Sequence, residues 1–306
     1  MLADGYRLTG KIGACFEKIQ MSIDFCQKKI KEHELYEQDL IKAKIEHAHC
    51  LYLLGKFIES KYAYDKIGND YPNLKEYCEL YVEYSYRYSK TLRSLGQLDT
   101  AMNKAKDALY FACDEKYRGL AYWSLCIIEV SLFSRNIRET LDEAIVYYKK
   151  AKSIFEKIGY RATVFIDYDI AEIYKLDGEF DQAIEIYSSL IKITHDMNET
   201  NREAFALLGL AETIRWQKQY NNPDAVARDA IEHYDKAKNL FSVMDLEYGM
   251  MLCSLGEILA SQNYITDQSP LQDLLDLINT NYPKEREIVE NVVKNQKPLG
   301  FSLNII

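Results

Sequence analysis

Apolar residues recur along this chain at intervals of three and four, the period of a helix with one buried face. Between residues 6 and 33 they fall at Ile12, Cys15, Phe16, Ile19, Ile23, Cys26 and Ile30, which predicts an amphipathic helix. Toward the other end, Pro283 opens a polar stretch in which Ile288, Val292 and Val293 make a narrow apolar face. That pattern predicts a helix over Lys284–Asn295 that solvates the end of a helical stack. The tail from Pro298 to Ile306 is apolar and carries no helical signal.

Between these ends a longer pattern repeats. From Ala171 to Tyr187 the order is a small residue (Ala171), an aromatic (Tyr174), Gly178-x-Phe180, then Ala183 and a second aromatic, Tyr187. The same order runs through Ala48, Leu51, Gly55, Phe57, Ser60 and Tyr64, and closes at Pro72. A third copy holds Ser89, Leu92, Gly96, Leu98, Ala101, Ala105 and Ala108; a fourth keeps only its second half, Ala144, Tyr148 and Ala151. The fifth starts at Ala211, passes Ile214 and Tyr220, takes an insertion around Asn221, Asn222 and Pro223, and resumes at Ala230, Tyr234 and Ala237. A sixth starts at Gly256, passes Leu259, and continues in a degenerate second helix, Leu271 to Ile278.

Each landmark has a mechanical reason. Small residues belong where two antiparallel helices approach most closely, because a larger side chain would push the axes apart. Glycine supplies the turn between helices at low steric cost. The aromatics fill the holes that small residues leave. Such a helical hairpin cannot bury its face alone and must stack on neighbours.

These residues resemble the tetratricopeptide repeat family over roughly residues 41–278. The resemblance implies an all-α fold, a right-handed superhelical solenoid of antiparallel helical hairpins. Residues 1–40 then form an N-terminal capping helix or degenerate hairpin, 41–280 five to six hairpins, and 281–306 a C-terminal capping helix and tail. Successive central small residues, Ser60, Ala101, Ala144, Ala183 and Ala230, stand 41, 43, 39 and 47 apart, against about 34 in the usual repeat. The helices or their connections are therefore longer than usual.

Composition agrees with stacked helices. The chain has 306 residues, 48% of them hydrophobic, with only 5 prolines and 13 glycines. Its 25 tyrosines suit many half-buried helix faces, since tyrosine buries a ring and keeps a polar tip. The net charge of −9 is unevenly spread: residues 1–150 hold 23 basic and 22 acidic side chains, and residues 151–306 hold 15 and 25. Nucleic acid needs a basic footprint, which the acidic half lacks. Seven cysteines at irregular spacing, without a CxxC pair, point to buried thiols in a reducing compartment. With Asp4, Arg7 and Lys11 interrupting the N-terminus and no span of membrane-crossing length, the expected location is cytoplasmic, away from membranes.

Candidate chemistry is sparse. His47, His49 and Cys50 cluster in sequence, but positions two apart on a helix do not share a face, so they make a poor metal site. No phosphate loop, HExxH or GxSxG is present. Neither catalysis nor a cofactor or metal is expected. In a hairpin stack the first helix of each pair lines the concave face, and the position after the small landmark projects into it. That position holds His49, Lys90, Glu172, Glu212 and Glu257; one turn later come Tyr52, Arg93, Lys175 and Arg215, and one turn earlier Tyr86, Arg87, Tyr168 and Asp169. Trp216, Phe165 and Met250 fall on the same side. The groove so drawn passes from basic and aromatic to acidic, and would orient a bound protein or peptide by charge, with a basic segment over the acidic half. A solvated helix face is the plainer account of any single charge among them.

The expected function is a protein- or peptide-binding module, whether adaptor, scaffold or the sensor part of a regulator. Long tyrosine-rich hairpins are also similar to the bacterial Rap-type peptide-pheromone receptors, which implies a peptide held inside the superhelix. About 40 residues precede the first copy here, in place of that family's effector bundle or helix-turn-helix. A third reading is a regulatory phosphatase acting through the N-terminal helix, with Gln20 or Gln27 as its polar residue. Exposed repeat ends would also allow a homodimer.

Overall fold

The turn glycines set the architecture. Gly55, Gly96 and Gly178 have φ of 75°, 70° and 85°, the left-handed region that costs an L side chain about 1–2 kcal/mol. Each closes a helix with the same pair of bonds. Gly55 N–H donates to the Tyr52 carbonyl and Lys56 N–H to Leu51, and the pattern recurs from Gly96 and Gln97 to Arg93 and Leu92, and from Gly178 and Glu179 to Lys175 and Tyr174. This double cap satisfies carbonyls a helix end would otherwise leave open and sends the chain back antiparallel. Asn198 and Asp245, with φ of 55° and 54°, make the equivalent cap at the ends of two later helices.

The computed structural model describes residues 12–29, 36–135, 137–160, 163–220, 222, 225–261 and 269–281. Their elements are α1 (Ile12–Lys29), α2 (Tyr36–Leu53), α3 (Phe57–Asp70), a short 3-10 turn (Leu74–Glu76), α4 (Cys78–Ser94), α5 (Leu98–Tyr110) and α6 (Glu115–Ser134). There follow α7 (Asp142–Lys157), α8 (Thr163–Asp177), α9 (Phe180–Asp196), α10 (Thr200–Tyr220), α11 (Arg228–Val243), α12 (Glu247–Ser261) and α13 (Ser269–Asn281). The described residues are all-α, without strands. The expected helix Lys284–Asn295, the tail from Pro298, Ile30, most of the insertion at 221–223 and the side chains of Phe165 and Ile278 lie outside them.

Two compact units divide the chain. The first takes the described residues up to 129 together with those of 142–166; the second takes 130–141 and those from 167 onward. In the first, α1 lies on α2 around Cys15, Ile19, Ile23, Cys26, Leu40 and Cys50. Next, α2 pairs with α3 and α4 with α5, and Phe155 of α7 packs against Trp123 of α6. In the second, Tyr187 of α9 packs on Tyr168 of α8, α10 pairs with α11, and α12 packs on both α11 and α13.

The small landmarks of the first five copies are fully buried: Ala48, Ser60, Ser89, Ala101, Ala144, Ala171, Ala183, Ala211 and Ala230 all have 0% exposure. Ser60 uses its site twice, donating to the Ala48 carbonyl at 2.8 Å and meeting the Thr91 hydroxyl at 3.0 Å. The first helix missing from the fourth copy is α6. Its small residues include Gly119, against which Phe155 packs, and Ser124, which meets Ser89 hydroxyl to hydroxyl. Ser89 and Ser124 lie 35 residues apart, so this one step has close to the usual length.

One expectation is corrected here. Cys78 and Cys113, expected as separate thiols, form a disulfide with Cα atoms 6.3 Å apart. They too are separated by 35 residues, the step that sets the first helices α4 and α6 side by side. Irregular spacing along the sequence therefore concealed equivalent positions in neighbouring hairpins, and the argument for a reducing compartment loses its premise. Cys15, Cys26, Cys50, Cys126 and Cys253 remain buried thiols. No helix among the described residues is long and apolar enough to cross a membrane.

Candidate functional site

The charged residues of the first helices are not a solvated face. Arg87, Lys90, Arg93, Asp169, Glu172, Lys175, Glu212 and Arg215 are all buried, as are His49, Tyr52 and Tyr168; Tyr86 and Glu257 are partly exposed. Burial of an ion costs several kcal/mol unless partners compensate it. The partners group these residues into local clusters.

In the first unit, Arg87 Nη2 lies 2.8 Å from both Glu46 and Glu83, and its Nε donates to the Tyr86 hydroxyl at 3.2 Å. Burial opposes the guanidinium charge, but Glu46, Tyr86 and Glu83 outweigh it and hold Arg87 ionised well above its ordinary range. The Lys90 ammonium lies 4.7 Å over the Trp123 ring and 5.9 Å from that of Tyr86. Arg93 is nearly inaccessible. His49 stacks on Tyr52 at 5.8 Å, whereas His47 meets Phe16 in a tilted contact at 4.5 Å, so the two histidines serve different faces. The basic pole thus carries counter-charges, Glu46 and Glu83, that the first-helix register did not include.

The second unit repeats one device twice. Glu172 accepts from Lys175 Nζ at 2.6 Å and from the Tyr187 hydroxyl at 2.5 Å. Glu212 accepts from Arg215 Nη2 at 2.9 Å and from the Tyr234 hydroxyl. In both, a glutamate follows the small landmark of a first helix, a base follows three residues later, and a tyrosine arrives from the second helix four residues after that helix's own small landmark. Burial and the adjacent carboxylate push both phenols well above the ordinary tyrosine range, so they stay protonated donors. Arg215 extends its cluster through Gln219 at 2.9 Å, whose amide donates to the Leu259 carbonyl at 3.0 Å. Glu257 pairs with Lys238 of α11 at 2.9 Å, near the surface. Tyr168 donates to the Arg202 carbonyl, and Asp169 is buried one turn before Glu172.

The first hairpin departs from the device. His49 stands where Glu172 and Glu212 stand, and the hydroxyl of Tyr64, counterpart of Tyr187 and Tyr234, is buried without a partner among the described residues. The second oxygen of Glu172, Oε2, is in the same condition. Register thus located one half of each cluster. The other half, Tyr187, Tyr234, Glu46, Glu83, Trp123 and Gln219, comes from second helices, neighbouring hairpins or residues off the chosen face. The tyrosines are legible in the sequence as the landmark-plus-four position, but the pattern shows them there only as packing residues.

Of the apolar residues placed on this side, Trp216 and Met250 are partly exposed. A separate cleft of about 810 Å³ opens in the first unit between α1 and α3 over α2, lined by Ile23, His47, Leu51, Ile58, Tyr62 and Ile67 among others. Burial keeps His47 neutral by lowering its pKa. No group of three or more His, Cys, Asp or Glu among the described residues is placed to hold a metal ion.

No protein-family model matches the chain, and no curated protein matches it significantly in sequence.

Proposed function

We propose that this chain is a protein- or peptide-binding module, a right-handed superhelical solenoid of tetratricopeptide-like hairpins that recognises its ligand with the face of successive first helices. The observation that carries this reading is the row of buried ionic groups at one register, Lys90 with Arg93, Glu172 with Lys175, and Glu212 with Arg215. Apolar residues of similar volume would stabilise a purely structural stack as well or better. A polar face held in fixed geometry is instead what recognition of a polar backbone and charged side chains requires.

The ligand is an extended polypeptide. Its acidic groups or terminal carboxylate meet the first unit at the partly exposed Tyr86, whose surroundings are fixed by the buried Arg87, Lys90, Arg93, His49 and Tyr52. Its basic segment meets the second unit at the partly exposed Glu257, while Tyr168, Asp169, Glu172 and Glu212, buried with Lys175 and Arg215 as counter-ions, fix the framework of that surface. Association between copies through repeat ends is compatible with this arrangement.

A photo-crosslinking amino acid placed at Tyr86, and separately at Tyr62 beside the α1–α3 cleft, tests the assignment. Adducts from position 86 and none from 62 are expected. Adducts from 62 alone would move the binding surface to the cleft, and adducts from neither would sink the binding reading.

A further inference from the structure

The geometry points to a thiol–disulfide exchange site at Cys78 and Cys113, a reversible tether between the first helices α4 and α6 that dithiol reductants open. Two features separate this pair from the other cysteines. Cys113 lies exposed in the turn before α6, whereas Cys15, Cys26, Cys50, Cys126 and Cys253 are all buried. Cys78 is the first residue of α4, where the helix N-terminus stabilises a thiolate and so makes it a better leaving group.

These features set the direction of attack. The thiolate of a dithiol adds to the accessible Cys113 Sγ, the S–S bond breaks, and its electron pair leaves on Cys78 Sγ at the head of α4. The second thiol of the reagent then attacks the mixed disulfide at Cys113. The reagent departs as its cyclic disulfide, and the protein gains two electrons and, after protonation, two thiols. Oxidation runs the same steps backward with a small disulfide as oxidant.

A second pair provides an internal control. Cys15 and Cys50 are also 35 residues apart and their sulfurs lie 3.4 Å from each other, yet they remain thiols. Contact with Cys15, followed by burial, pushes the Cys50 thiol well up, which disfavours its thiolate, and both sulfurs belong to buried residues.

Opening the tether acts on α4, which carries Tyr86, Arg87, Lys90 and Arg93. It releases a loop closed at a separation of 35 residues and frees the first turns of α4 and α6. The inference does not depend on the proposed function, because its readouts are chemical and structural.

The experiment alkylates the folded chain with iodoacetamide after treatment with dilute dithiothreitol, and maps the labels by mass spectrometry. Labels at Cys78 and Cys113 alone are expected, with none at either before reduction, and with amide exchange over 78–82 and 111–117 about tenfold or more faster once reduced. The variant Cys113→Ser, altered at an exposed position, should show the fast exchange without reductant. If both cysteines label before reduction even after treatment with oxidised dithiothreitol, there is no bridge. If they label only after denaturation, or exchange is the same in the reduced chain and in Cys113→Ser, the reversible tether is wrong.

Discussion

At Glu172 a carboxylate with 1% exposure holds two donors on one oxygen, Lys175 and Tyr187, while Oε2 has none among the described residues. The site is finely balanced, because removing Lys175 leaves the carboxylate charge buried without compensation and removing the Tyr187 hydroxyl leaves it one donor short. Tyr187→Phe should cost about 1–3 kcal/mol, read as a lower urea midpoint, whereas Tyr62→Phe at an exposed ring should be neutral. Lys175→Met should cost about 3–5 kcal/mol, and adding Glu172→Gln should recover part of it. If the single and double variants are equally unstable, the lysine is held by packing rather than by Glu172. The lysine and glutamate were visible in the sequence as first-helix residues three apart. Their seclusion was not, since burial depends on a second helix whose distance no local pattern records.

Within a hairpin, two kinds of glycine carry different constraints. Gly178 turns the chain at φ 85° with open space where a side chain would project, so Gly178→Ala should cost about 1–2 kcal/mol through backbone strain alone. Gly209 has ordinary helical geometry, but a methyl there would strike the Tyr187 ring, as one at Gly256 would strike Tyr234. Gly209→Ala should therefore cost about 1–3 kcal/mol through overpacking, and should also shift the near-ultraviolet circular dichroism of the tyrosines, which Gly178→Ala should leave unchanged. Equal spectra would place the cost of both in the backbone. The turn glycines were legible because Gly-x-aromatic is a local signal. Gly256 was legible too, as the small residue that opens the sixth copy, but Gly209 was not, since the ring that needs it comes from the preceding second helix.

Across the molecule, tyrosines dominate the response to alkali. Burial raises the phenols of Tyr64, Tyr84, Tyr88, Tyr168, Tyr187 and Tyr234, and moves Tyr81 to about 12. A folded pKa above the unfolded value of about 10 means the folded chain binds more protons in that window, so stability is intact below pH 10 and falls as pH rises beyond it. Melting temperature should be level between pH 8 and 9.5 and drop steeply above 10, with tyrosinate absorbance near 295 nm gained largely on unfolding. Gradual absorbance gain at constant melting temperature would contradict the burial of these rings.

By itself the sequence determined the elements: helices at period 3.6, turns at Gly55, Gly96 and Gly178, and close crossings at the small residues, all of them local signals written within a few turns of chain. Tertiary structure alone decided which charges meet and which cysteines bond. Arg87 finds Glu46 on another helix, Glu212 finds Tyr234, and Cys78 finds Cys113 because a 35-residue step sets equivalent positions side by side. The intervals between hairpins vary, so lateral neighbours cannot be counted off along the chain. Register alone therefore drew these side chains as open charges, and folding paired Arg87, Lys175 and Arg215 with carboxylates.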